Sequence, residues 1–74
     1  MYVISNYNKE KGISILGNGS EDFEAVNKAF KEMRRLDKQE VKDSGCKVKK
    51  FNDFGYQIID ENGEVIEHTE IIAI

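Results

Sequence analysis

Residues Tyr2 to Tyr7 are rich in β-branched and aromatic side chains and predict a first strand. Asn8-Lys9-Glu10-Lys11-Gly12 is polar and ends in glycine, which suits a hairpin loop of about five residues. Ile13-Ser14-Ile15 alternates again, so a second strand is expected to run to about Leu16, where Gly17-Asn18-Gly19 breaks it.

The period then changes. Phe23, Val26, Phe30 and Met33 recur at three-four spacing, with Ala29 and Leu36 widening the stripe, which predicts an amphipathic helix. Ser20 is placed to cap it, its hydroxyl accepting from free first-turn amides, and Glu21 and Asp22 fall where the helix dipole favours acids. Asp37-Lys38-Gln39-Glu40 has the form of a second capping box. The helix is therefore expected to break near Leu36–Asp37 and continue as a short helical turn that Gly45 closes.

The last third returns to alternation. Asn62-Gly63 between two apolar runs predicts a two-residue type I′ hairpin. That register pairs Asp60 with Val65, Ile58 with Glu67, Tyr56 with Thr69 and Phe54 with Ile71. One face then carries Phe54, Tyr56, Ile58, Val65, Thr69 and Ile71. The other carries Gly55, Gln57, Ile59, Ile66, His68, Glu70, Ile72 and Ile74. Upstream, a tight hairpin turning at Asn52-Asp53 would place Lys47 and Lys49 in the core. Residues 46–59 are expected either as one bent strand or with a bulge or longer loop in the link.

The order ββ-α-ββ, with one further strand open, predicts an α+β fold: a two-layer domain over residues 1–74, with an antiparallel β-sheet and one amphipathic helix packed on one face. The helix stripe is expected to meet Val3 or Ile4, Ile13, Ile15, Val48, Phe54, Tyr56 and Ile58.

Size and composition narrow the picture further. A chain of 74 residues buries only about 60% of the surface its unfolded form exposes, so its margin is thin. Cys46 is the single cysteine, which excludes an internal disulfide, and Cys46 with His68 are too few for a structural zinc site. No metal or cofactor is expected. Self-association is the remaining way to bury more surface. Ile59, Ile66, Ile72 and Ile74 fall on the face away from the helix, which points to a homodimer or higher oligomer. An apolar share of 39% excludes a disordered tail. No apolar run approaches the roughly 20 residues of a membrane span, and no basic region followed by an apolar stretch opens the chain, so a cytoplasmic protein is expected.

Few residues suggest chemistry. Gly17-Asn18-Gly19-Ser20 lies between a strand and a helix, but its spacing fits neither a P-loop nor a dinucleotide fingerprint, and Glu21 and Asp22 would repel an anion. His68 stands opposite Gln57 with no nucleophile at a recognisable spacing, and reads as a surface strand histidine. Cys46, near Lys47 and Lys49, reads as a half-buried structural thiol. Asp60-Glu61-Asn62-Gly63-Glu64 misplaces its glycine for a calcium loop. These residues offer no paired acid and base, so a non-enzymatic protein is expected.

Charge is the more informative feature. Lys28 to Lys50 holds nine Lys/Arg against four acids, a net of +5, whereas Phe51 to Ile74 holds six acids and no Lys or Arg. Separated fields suit an interaction module. The first expectation is that the acidic C-terminal hairpin (Asp60, Glu61, Glu64, Glu67, Glu70) engages a basic surface on another protein. That behaviour would fit a phage or mobile-element accessory protein acting as an inhibitor. The second is nucleic-acid binding through Arg34, Arg35, Lys38, Lys47, Lys49 and Lys50, ranked lower because the overall pI is about 5.1. The third is capture of a small nucleotide-like anion at an oligomer interface lined by Tyr2, Tyr7 or Tyr56 and the basic block.

Overall fold

A computed structural model describes all 74 residues. Strands β1 (Tyr2–Asn8) and β2 (Gly12–Ser20) precede helix α1 (Phe23–Val41), and β3 (Lys47–Asn52), β4 (Gly55–Ile59) and β5 (Val65–Ala73) follow it. Every pairing is antiparallel, in the order β2-β1-β5-β4-β3. The two-layer α+β architecture is as the alternation predicts, and the open question between β3 and β4 resolves into a further strand with a bulge.

The helix lies on one face of the sheet. Ile4, Val26, Phe30 and Tyr56 form the buried cluster, with Tyr2, Leu16, Met33, Val48 and Ile71 packed against it. Phe30 and Tyr56 are each 1% exposed, and their rings meet at 5.4 Å. Phe23, at the start of α1, packs edge-on to Tyr2 and Phe54, each at 5.1 Å. Asn6 Nδ2 donates to the buried Thr69 hydroxyl at 2.9 Å, so this polar pair carries no unmet bond.

Strand alternation sends the remaining positions to the open face. Ile4 faces the helix and pairs with Leu16, so Ile13 and Ile15, opposite Tyr7 and Ser5, face away. They stand 76% and 50% exposed and are no part of the core expected of them. One row crosses all five strands on that open face: Ile13, Tyr7, His68, Gln57 and Lys49.

Local structure departs from expectation in four other places, each for a physical reason. First, α1 runs unbroken for 19 residues, because Asp37 points inward to accept the Tyr56 hydroxyl at 2.5 Å instead of capping a new helix. Second, the N-cap is Asp22, whose Oδ1 accepts from the Glu24 amide at 3.0 Å, while Ser20 Oγ accepts from Asp22 itself. Third, Gly17 and Gly19 do not end β2. Both adopt φ of +74°, and three residues of β2 (17–19) oppose Val3 alone, a bulge that closes over Val3 and leaves it buried. Fourth, the β4–β5 turn is not type I′, since no residue except glycine has positive φ. Gly63 N–H donates to Asp60 O at 3.0 Å, and Asp60 Oδ1 accepts from the Asn62 and Glu64 amides, each at 2.9 Å. The result is a type I turn completed by Gly63 at φ +81°, a three-residue loop. Ile58–Glu67 and Tyr56–Thr69 pair as expected, but Val65 sits opposite Ile59, not Asp60.

Between β3 and β4 the bulge lies between Lys50 and Asn52. It corrects the parity problem: Val48 joins the core beside Ile58, and Lys47 and Lys49 go to the open face opposite Ile59 and Gln57. No helix is long and apolar enough to cross a membrane.

Candidate functional site

The two edges of the sheet differ in kind. β2, on one edge, carries no charged residue. β3, on the other, carries Lys47, Lys49 and Lys50. The helix repeats the asymmetry. Lys31, Arg34 and Lys38, at i, i+3 and i+7, share one flank. Lys31, Arg34, Asn27 and Phe30 from that flank, with Lys50, Asp53 and Phe54 from the β3–β4 hairpin, line an open cleft of about 390 Å³. Asn27 Oδ1 is buried with no hydrogen-bond donor. Ala25 and Ala29 on the opposite flank face Leu16 and the β2 bulge.

The basic side is also where exposed aromatic surface lies. Phe51 is 57% and Phe54 45% exposed. Phe51 stands edge-on to His68 at 5.0 Å on the open face. His68 is held by Gln57, with Nε2 to Nδ1 at 3.0 Å, and by Glu70 at 3.5 Å on its other nitrogen. It is thereby a positioned platform residue beside Phe51 and Tyr7. Of the basic residues expected to bind, Lys38, Lys47, Lys49 and Arg34 have no carboxylate within ion-pair distance. Lys50 pairs with Asp53 at 3.1 Å. Arg35 stands apart, locked two-pronged to Glu32 on the solvent side of α1. The hydrogen bond lowers the Glu32 pKa and raises that of Arg35.

The acidic residues do not gather in the same way. The Asp60 carboxylate is consumed by its own turn. Glu64 pairs with Lys9 at 2.6 Å, a contact that raises the Lys9 pKa through the hydrogen bond and then the charge. Glu67 lies on the helix side near Asn6, and Glu70 lies on the open face near His68. Glu61 is exposed, with its side chain against Gly45. The three tyrosines do not converge either: Tyr56 is buried, Tyr2 packs beneath Phe23, and Tyr7 is exposed on the open face. Of the proposed interface isoleucines, Ile59, Ile66 and Ile72 are half-buried and Ile74 is 74% exposed. Cys46 is a half-buried free thiol.

Sequence reasoning had Lys31 within the basic 28–50 block but left Asn27, Phe51 and Phe54 out of the site. Their place there depends on β3 lying at an edge, which is a tertiary fact. No family model matches the chain, and neither curated proteins nor solved structures give a match.

Proposed function

We propose that this protein is a binding module whose working surface is the β3 side, and that its ligand is single-stranded nucleic acid. The observation that carries the reading is that five cations without an ion-pair partner flank the β3 edge, Lys31, Arg34 and Lys38 on the helix side with exposed Phe54, and Lys47 and Lys49 on the open face with exposed Phe51. Cations that track a backbone beside aromatic rings that stack bases are the two components of sequence-tolerant single-strand binding. The overall charge of −3 opposes long-range steering, so the reading predicts modest affinity from contacts within a Debye length of about 10 Å.

The other reading, an acidic hairpin docking on a basic protein, has weaker support because Asp60 is consumed by its own turn and Glu64 is already paired with Lys9. Fluorescence anisotropy with a labelled oligothymidine and an oligouridine of about 15 nucleotides separates the two. Five phosphate contacts on a single strand predict a log–log salt slope of about −3.5. Lys47→Glu with Lys49→Glu should weaken binding at least about tenfold, and Glu61→Gln with Glu64→Gln should leave it unchanged or tighten it. Absence of binding at about 50 mM salt, or equal loss on reversing charges distant from β3, would refute the proposal.

A further inference from the structure

The edge opposite the basic site has its own specification. Lys9 N–H donates to Ile66 O and Ile74 N–H donates to Met1 O, so odd-numbered residues of β1 turn their backbone groups toward β5. Even-numbered residues then bond to β2, at Leu16, Ser14 and Gly12. It follows that the N–H and C=O of Ile13 and Ile15 point out of the sheet. Their side chains are the most exposed apolar groups on that edge, at 76% and 50%. Natural edges are blunted by lysine, proline, a bulge or a cover. β3 has its lysines, and Gly17 to Gly19 bulge the far end of β2. Gly12 to Leu16 has none of these devices.

We infer that two copies of this chain join β2 to β2 about a two-fold axis at Ser14, forming one ten-stranded antiparallel sheet from two five-stranded ones. An outward ladder of amides and carbonyls selects a β-strand as its occupant. The chain itself decides which strand. Pairing β3 with β3 would set lysines against lysines. Pairing β2 with β3 would place Lys47 or Lys49 beside the isoleucines and leave a free edge at each end, an arrangement that never closes. Pairing β2 with itself brings no charge to the seam. It matches Ile13 with Ile15 of the second copy twice over, so the outward backbone groups and the exposed side chains are satisfied together. Above the seam, Ala25, Ala29 and Leu16 line an apolar groove of about 190 Å³, so the helix layer opposes no charge there either. The two basic edges would end nine strand spacings apart, about 43 Å, facing outward.

In this register Ser14 meets its own copy at a non-hydrogen-bonded site, where Cα atoms approach to about 4.5 Å, within disulfide reach. The test is oxidative cross-linking of Ser14→Cys in a Cys46→Ser background, beside sedimentation equilibrium of the unmodified chain. A covalent dimer of twice 8.5 kDa is expected, with wild-type association that stops at the dimer. Ile13→Lys with Ile15→Lys should give a monomer with an unchanged far-ultraviolet spectrum. Ile72→Lys, on the open face away from the edge, should still dimerise. A monomeric wild type at millimolar concentration would overturn the proposal. So would assembly that grows past the dimer, or dissociation by Ile72→Lys in place of the β2 variant.

Discussion

The Tyr56–Asp37 hydrogen bond offers the sharpest test of how the helix layer is fixed to the sheet. Tyr56→Phe deletes the hydroxyl and keeps the ring against Phe30. A bond to a charged acceptor contributes about 1.5–3 kcal/mol. Asp37 is half-buried and regains some water when the hydroxyl is lost, so the lower part of that range, about 1.5–2 kcal/mol, is expected. A chain of 74 residues has a total stability of about 4–11 kcal/mol, so this one bond is a large fraction of it. At about 4–8 °C per kcal/mol the melting temperature should fall by about 6–16 °C. Urea unfolding followed by far-ultraviolet circular dichroism should show the midpoint falling with the m-value unchanged. Asp37→Ala alone is an incomplete probe, because alanine raises helix propensity in the middle of α1. The double-mutant cycle cancels that gain, and a coupling above about 1 kcal/mol is expected. If Tyr56→Phe lies within about 0.5 kcal/mol of wild type, or if the two substitutions are additive, the bond does not hold the helix and the account of its unbroken course fails.

At high pH, burial first and Asp37 second raise the Tyr56 pKa, so the folded state binds the phenol proton more tightly than the unfolded one. The associated stability is complete below about pH 10 and is lost as pH rises beyond it, so urea midpoints should fall there more steeply in wild type than in Tyr56→Phe. Gly19→Ala and Gly63→Ala share a positive φ but differ in surroundings: a Cβ at Gly19 would lie 2.7 Å from Val3 Cγ1, and one at Gly63 would meet open space. Thermal melts should place Gly63→Ala about 1 kcal/mol below wild type and Gly19→Ala at least about twice as far.

What could be read from the sequence was what local rules control. The period-two runs located the strands, and the Phe23–Val26–Phe30–Met33 stripe located the helix and its buried face. The position of the last turn was evident from Asn62-Gly63, but its type was not, because the carboxylate of Asp60 competes for the Asn62 and Glu64 amides. Asp37 misled for a related reason: the same side chain serves as a helix cap or as a tertiary acceptor, and only the presence of Tyr56 across the layer decides. Ile13 and Ile15 were misplaced because β2 has apolar residues of both parities, and the pairing of Leu16 with Ile4 settles which one turns inward. The site was less legible still. Charge along the chain suggested two opposed fields, whereas the fold ties Lys9 to Glu64 and Lys50 to Asp53 and sorts the remaining charges by sheet edge.

The last strand finishes where the first begins. Met1 N donates to Ile74 O at 3.1 Å, and Ile74 N–H donates to Met1 O at 2.8 Å, so the backbone is one short bridge from a closed ring. The order of the elements along the polymer is therefore separable from their order in space. A glycine linker joining Ile74 to Met1, with a new opening in the exposed 9–11 or 61–63 turn, should yield the same sheet from a permuted gene. Opening at 9–11 would make β1 the final strand and free the end of β2, so that a fused reporter would sit beside the β2 edge and away from Lys47, Lys49 and Lys50.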